Sequence, residues 1–198
     1  MDQIVILMFL VLLFVLQSRN LRKFTLTDLT VIAVLTAASS LGRALMQGIP
    51  SVQPSSFIII TVGMLLGPAA GYITGIFTVL ISSLFCGYGT YVWWQMLGWG
   101  VMGLLAGYLP KKNLISIILA AAYGVVWGYI YGWITNLWWL FSSHTPINWT
   151  TIAAGNIGSL WPDTMHAVTN GVLLILLPYK RVLGIYKFIV KPKGMENT

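Results

Sequence analysis

A chain of 198 residues with 58% apolar and only 8% charged residues cannot cover a water-facing surface, because soluble domains have roughly a quarter of their residues charged. The mean hydropathy of +0.84 therefore excludes a water-soluble domain and predicts a one-domain, all-α integral membrane protein. The net charge of +7 comes from short Lys and Arg clusters between apolar runs, which favours cytoplasmic loops over a nucleic-acid surface.

The first apolar run, residues 4–16, is uninterrupted. A secretory signal peptide is the alternative, but the chain begins without a basic region and no small-residue cleavage site follows the run. We therefore interpret residues 1–17 as a retained N-terminal hydrophobic helix. The basic cluster at 19–23 follows it, so the positive-inside rule places its N-terminus outside the cell.

Six further membrane segments form the predicted core, residues 27–181. Thr27 and Asp28 are expected to cap the first of them, and Gly67-Pro68 separates the second from the third. A loop at 142–160 carries no charge and can contain helical pieces. The predicted segments are about 28–47, 55–66, 69–86, 91–109, 114–141 and 161–177.

Loop charges orient these segments. Lys and Arg occur at 19–23, 111–112 and 180–181 and in the tail 182–198, whereas the loops at 48–54, 87–90 and 142–160 contain neither. One alternation of spans places every basic loop in the cytoplasm. We therefore predict a cytoplasmic C-terminus and a cytoplasmic basic tail over residues 182–198.

Small residues repeat at four-residue spacing along several segments, as in Gly124, Gly128 and Gly132. Such spacing lets helix backbones approach closely in lipid, and we interpret these glycines as packing contacts within the monomer. Ala33 and Ala37 have the same spacing in the first core segment.

No catalytic or metal-binding motif is found. Metalloprotease, nucleophile-elbow and P-loop patterns are absent, and Asp163 and His166, spaced i and i+3, have no third partner in the sequence. The single cysteine, Cys86, excludes an internal disulfide and is expected to be a small buried apolar residue. We therefore expect no enzyme activity, no metal and no cofactor bound by this chain.

Polar and aromatic residues collect toward the predicted outer ends of the segments. Intramembrane ionisable residues usually mark function, so Arg43, with Asp163 and His166, predicts an outward-facing pocket; snorkelling, an Arg43–Asp163 ion pair and an interfacial aromatic belt are the alternatives. Aromatic walls suit a large planar or amphipathic ligand. The candidate substrate-binding residues are Arg43, Gln53, Tyr88, Tyr91, Trp94, Gln95, Asn136, Trp139, Trp161, Asp163 and His166.

Residues 27–181 resemble the substrate-binding S components of energy-coupling-factor (ECF) vitamin transporters. Three features carry the resemblance: the A-x-x-x-A spacing of Ala33 and Ala37, the block 57–75 with its Gly67-Pro68 turn and glycine-rich helix, and six core helices with both ends inside. The N-terminal segment is an addition to the usual six-helix plan.

The resemblance implies a division of labour. An S component captures a vitamin from outside the bacterial plasma membrane and docks, here through Ala33 and Ala37, on a transmembrane coupling subunit driven by two cytoplasmic ATPases. ATP is then used by the partner subunits. The absence of a mid-membrane acid or an inverted repeat agrees with a chain that depends on partners for energy.

Three stretches are most similar to the cobalamin-specific group: 41–43 (LGR), 49–54 (IPSVQP) and 93–100 (WWQMLGWG). Cobalamin (vitamin B12) or its precursor is therefore the expected ligand. A queuosine precursor or another small vitamin is the alternative ligand. A structural or assembly protein without a ligand is the alternative of another class.

Overall fold

The computed structural model describes residues 2–49, 51–110, 114–143, 145–178, 181–182 and 184. Within these ranges the chain is helical, with no strand. Lys111, Lys112, Lys180, His144 and most of the predicted tail at 182–198 lie outside the described residues. The helices are α1 (Asp2–Leu21), α2 (Leu26–Leu45), α3 (Ser55–Leu66), α4 (Pro68–Cys86), α5 (Tyr91–Ala106), α6 (Leu114–Ser142), α7 (Trp149–Gly158) and α8 (Leu160–Leu176).

Helix α2 begins two residues earlier than predicted. Its N-cap is Thr25, not Thr27: the Thr25 hydroxyl accepts a hydrogen bond from the backbone N–H of Asp28, and the Asp28 carboxylate accepts from the backbone N–H of Thr25. This reciprocal pair satisfies two N–H groups that have no partner within the helix. Thr25 lies three residues before Asp28, the spacing of a capping box, whereas Thr27 directly precedes the acid.

The break between α3 and α4 depends on Gly67. Its φ of 96° lies in the left-handed region that glycine adopts without a steric penalty. Pro68 then occupies the first turn of α4, where its missing N–H costs no hydrogen bond. The predicted Gly-Pro turn is therefore present, and it folds α3 directly back against α4.

Glycines bring α3, α4 and α5 into close contact. A Cβ added to Gly71 would overlap the backbone of Gly103 and the Cα of Gly63, and one added to Gly75 would overlap the backbone of Trp99. Close packing of this kind places the fully buried Tyr72 and Trp99 side chains within the main apolar core.

Helices α6 and α8 pack through the predicted glycine stripe. A Cβ on Gly128 would meet the backbone of Ala167, and one on Gly132 would meet the carboxylate of Asp163. Our interpretation of these glycines as intramolecular packing contacts is confirmed.

Helix α1 lies against α4 and α5. Ile6 and Leu10 are buried there, and the Tyr72 hydroxyl donates a hydrogen bond to the backbone carbonyl of Leu10. Most of its remaining apolar side chains are exposed, as expected for a helix that faces lipid.

Four described helices, α1, α2, α4 and α6, are long and apolar enough to cross a membrane. Helices α3, α5 and α8 have 12, 16 and 17 residues, fewer than the about 20 of a straight span. The structure therefore supports an all-helical membrane protein. The number of six core spans plus an N-terminal helix stays a prediction.

Candidate functional site

A polar surface joins α2 to α4 inside the bundle. Thr78 donates to the Ser39 hydroxyl at 3.0 Å, and Ser55, at the start of α3, donates to the Ser39 carbonyl at 3.0 Å. Ser40 also reaches the Thr78 carbonyl, at 3.4 Å. Such bonds between helices each contribute on the order of 1 kcal/mol in a membrane, and they fix α2 in register with α4 below Arg43.

Arg43 ends this polar surface and is 9% exposed. Its Nη1 donates to the Ser82 hydroxyl at 2.7 Å, and its Nη2 donates to the Gln95 side-chain carbonyl at 2.8 Å. The guanidinium carbon lies 5.1 Å from the centre of the Trp99 ring, a cation–π distance. Three helices, α2, α4 and α5, therefore hold one cation in a fixed position.

A second layer of bonds fixes Trp99. Its indole N–H donates to the Ser56 hydroxyl at 3.0 Å, and Ser56 lies 2.6 Å from His166 Nε2. Because an indole N–H can only donate, the Ser56 hydroxyl accepts from Trp99 and is free to donate to His166. Tyr131 stacks on Trp99 and meets the His166 ring edge-on, with ring centroids 5.1 and 5.2 Å away.

We call these residues the Arg43 cluster. They come from α2, α3, α4, α5, α6 and α8, so the site forms only when nearly the whole bundle is assembled. The cluster consists of Arg43, Ser56, Ser82, Gln95, Trp99, Tyr131 and His166.

A cavity of about 220 Å³ opens beside the Arg43 cluster. Side chains with amide or hydroxyl groups contribute much of its wall, and Arg43 itself lines it. Cys86 is half-buried there and faces a polar space, so its expected place in a buried apolar environment is wrong. The lining residues are Arg43, Met46, Gln47, Ile49, Ser51, Gln53 and Cys86.

A separate polar group connects α6, α7 and α8. The Asn136 amide donates to Asn156 at 2.9 Å and to Ser159 at 2.8 Å, and Ser159 donates to the Asp163 carboxylate at 2.7 Å. The alternative Arg43–Asp163 ion pair is not formed, since Arg43 is held by Ser82 and Gln95. Asn136 and Asp163 therefore stabilise the end of the α6–α8 pair in this structure.

The predicted aromatic walls divide into two sets. Tyr91 packs edge-on against Trp138, and the buried Trp94 stacks on Phe141. Tyr88, Trp139 and Trp161 are instead 65%, 42% and 71% exposed and line none of the cavities that the structure describes.

Of the predicted site residues, the structure thus brings four together: Arg43, Gln53, Gln95 and His166. Sequence reasoning missed Ser56, Ser82, Trp99 and Tyr131. The spacing of Gln95 and Trp99, four residues apart on one helix face, was the available signal for Trp99. In the described parts of the chain, no group of three or more side chains of the metal-binding types is found.

Comparison with known proteins identifies a family. The family described as "ECF transporter, substrate-specific component" matches residues 27–190, which is well over half of the chain. UPF0397 proteins are similar over a shorter region: that of Aliivibrio fischeri strain MJ11 is 28% identical over 117 residues, 50% of this chain and 63% of the relative. That of Vibrio atlanticus is 27% identical over 124 residues, 54% of this chain and 68% of the relative.

The chain therefore spans 63% of the length of the Aliivibrio fischeri relative. No solved structure matches the chain.

Proposed function

The chain belongs to the substrate-specific components of ECF transporters, and from this premise we propose that it is the membrane subunit that captures a vitamin at the Arg43 cluster for an ECF importer. The observation that carries the proposal is a buried arginine, fixed by three helices, beside a polar cavity. Buried polar groups that converge on a cavity are typical of ligand sites.

The partners in this proposal are an ECF transmembrane coupling subunit and two ATPase subunits, which hydrolyse ATP while this chain does not. Ala33 and Ala37 are exposed positions on α2, beside the face that buries Thr36 and Arg43. Small exposed residues allow close approach of another helix in lipid, which supports this face as the docking surface.

The proposed arrangement in the bacterial plasma membrane has the cavity outside and the C-terminus in the cytoplasm. Residues 27–181 form the proposed binding core, since the family match begins at residue 27. Residues 1–17 add a helix, and 182–198 a cytoplasmic tail. Lys23 lines a surface cavity together with Phe24, Leu66 and Tyr108. This cavity lies at the end of the bundle away from Arg43.

Cobalamin is the first candidate ligand, on the strength of the 41–43, 49–54 and 93–100 stretches. Exposed Tyr88, Trp139 and Trp161 give a bulky amphipathic ligand apolar surface to cover, although these side chains are equally suited to a membrane interface.

A queuosine precursor or another small vitamin is the second candidate. The specific observation in its favour is the volume of the cavity, about 220 Å³, which is below the roughly 300–1,000 Å³ of sites that enclose a drug-sized ligand. A corrinoid is far larger than the cavity, so its binding requires the surrounding loops to separate.

Equilibrium binding to the purified protein tests the function. We expect a vitamin to be retained at micromolar concentration without ATP, and mass spectrometry of the purified protein to identify it. Gln53→Leu in the cavity wall should weaken binding about tenfold, the value of one lost hydrogen bond. Gln17→Leu is the matched control, because Gln17 is a buried glutamine on α1 and lines none of the described cavities.

Retention of no vitamin at micromolar concentration would instead favour a structural or assembly protein. An equal loss of vitamin affinity in Gln53→Leu and Gln17→Leu would show that the vitamin does not bind in this cavity.

A further inference from the structure

Arg43 carries a buried positive charge without an acidic partner among the described side chains. The described acids are Asp28 and Asp163. Asp28 lies fifteen residues before Arg43 on α2, about 22 Å away at 1.5 Å per residue. Asp163 accepts a hydrogen bond from Ser159 and is not among the groups that contact the Arg43 guanidinium.

The groups that do contact Arg43 are neutral. Ser82 and Gln95 each take one N–H bond, which uses two of the five N–H donors of a guanidinium, and Trp99 offers the face of its ring. A buried cation is costly unless a negative charge compensates it. The described side chains therefore compensate the charge of Arg43 only in part.

Arg43 lines a polar cavity together with Gln47, Ser51 and Gln53, which its remaining N–H donors can serve. These side chains can donate or accept hydrogen bonds, and none of them is charged. We propose that this cavity takes a single anionic oxygen group of the ligand, a carboxylate or a phosphodiester, with Arg43 as its counter-ion. The inference rests on the proposed function, since it names the chemistry of the captured vitamin.

This chemistry divides the candidate ligands. One cation matches one negative charge, so a dicarboxylate or a phosphate monoester is disfavoured, and a ligand that presents an ammonium group to Arg43 is repelled. Cobalamin carries one phosphodiester in its nucleotide loop and satisfies the requirement, whereas cobinamide, which lacks that loop, does not.

Two small probes test the anion site without knowledge of the vitamin. Thermal unfolding of the full-length protein in detergent is measured with tens of millimolar dimethyl phosphate or acetate, against chloride of equal ionic strength. Because a ligand of the native state raises the unfolding temperature, we expect a rise of a few degrees in the wild type. The probe that gives the larger rise distinguishes a phosphodiester from a carboxylate.

Three variants complete the test. Arg43→Gln should abolish the rise, and Arg43→Lys should retain part of it because it keeps the charge. The control Arg22→Gln removes an exposed arginine after α1 and should behave as the wild type. An equal rise in Arg43→Gln, or no rise in the wild type, would overturn the proposal.

The same experiment separates an anion site from a structural role. If Arg43 only holds α2 to α4 and α5, Arg43→Gln should lower the unfolding temperature without probe but leave the probe-induced rise as large as in the wild type, which would overturn the proposal. We expect the probe-induced rise to be lost in Arg43→Gln whatever its unfolding temperature without probe.

Failure of this proposal is distinguishable from failure of the proposed function. Vitamin retention without any probe effect refutes the anion site alone, whereas a probe effect without vitamin retention refutes the vitamin function alone. In a second arm, cobalamin should bind the wild type at least tenfold more tightly than cobinamide, and Arg43→Gln should bind the two equally. Equal affinity of the wild type for both would contradict a phosphodiester at Arg43.

Discussion

Ser56 connects three helices through one hydroxyl group, which lies within hydrogen-bond distance of the Trp99 indole and the His166 ring. Ser56→Ala leaves both ring nitrogens buried without that partner. Since a buried group without a partner is costly but polar contacts in membranes are modest in strength, we expect a loss of about 1 to 2 kcal/mol in the free energy of unfolding. Equilibrium unfolding in detergent measures it.

Ser83→Ala is the matched control. Ser83 is also buried, but its hydroxyl bonds only to the Leu80 carbonyl in its own helix. Its loss should change stability by less than about 0.5 kcal/mol. Equal effects of the two substitutions would show that the Ser56 bridge does not stabilise the bundle.

For individual residues, the sequence predicts which side chains are unusual but not which of them contact one another. Arg43 stands out as a charge in an apolar segment, and it is buried at the centre of the cluster. Trp99 looks like one tryptophan among nine, because nothing local distinguishes a ring that stacks under a guanidinium from one that faces lipid. Only the contact of the Arg43 guanidinium with Gln95 and Trp99 on α5 reveals the difference.

The α6–α8 pair depends on Gly128. An added methyl group would overlap the Ala167 backbone, which cannot move aside as a flexible side chain would. Gly128→Ala should therefore lower the stability by about 1 to 3 kcal/mol, even though alanine favours a helix over glycine by about 1 kcal/mol. The unfolding temperature in detergent reports the change.

Gly158→Ala is its control, because a Cβ there meets nothing within 4 Å. We expect its unfolding temperature to stay equal or rise slightly. A Gly128→Ala protein as stable as Gly158→Ala would mean that α6 and α8 do not approach as closely as the structure shows.

Helix α2 presents opposite faces to the bundle and to its surroundings, and this makes its proposed docking role testable. Ala33→Trp and Ala37→Trp enlarge exposed positions, so the fold and the retained vitamin should be unchanged. Vitamin uptake by cells that contain the coupling subunits should fall to background, because a bulky ring prevents close helix approach.

Ile118→Trp, at a 59% exposed position on α6, controls for a large ring on the lipid-facing surface and should leave uptake intact. Normal uptake with Ala33→Trp and Ala37→Trp would exclude this face as the docking surface.

Element boundaries were predictable wherever glycine, proline or a polar turn interrupts an apolar run, as at Ser55–Leu66. Helix α7 was anticipated only as helical pieces of a loop, since it has no buried residue and therefore no hydrophobic periodicity to detect. Helix α5 ends at Ala106, three residues before its predicted end. An apolar run cannot show where a helix gives way to turns.

Considered as a whole, the bundle has two chemically different ends. Arg43 and its polar cavity lie at the end where α2 finishes, and Lys23 lies at the end where α2 begins. This separation is what the loop charges predict for a binding subunit that opens outward. The orientation is a prediction from the loop charges, because the fold itself does not define which end of the bundle faces outside.

Chemical labelling of Cys86 in intact cells tests that orientation. It is the single cysteine of the chain, and it is half-buried in the cavity wall beside Arg43. A partly exposed thiol reacts with maleimides, so a membrane-impermeant maleimide added outside should label it. Bound vitamin should slow the labelling, because the thiol lines the space that we propose the vitamin enters.

A protein with Cys86→Ser and Tyr108→Cys is the control, because its single thiol lies at the opposite end of the bundle. Tyr108 is 69% exposed and follows α5, which begins at Tyr91, so it lies about 25 Å along the bundle from that end. The thiol introduced at this position should be labelled only after the membrane is permeabilised. Labelling of this double variant but not of the wild type in intact cells would reverse the topology and place the cavity in the cytoplasm, where it could not capture a vitamin from outside.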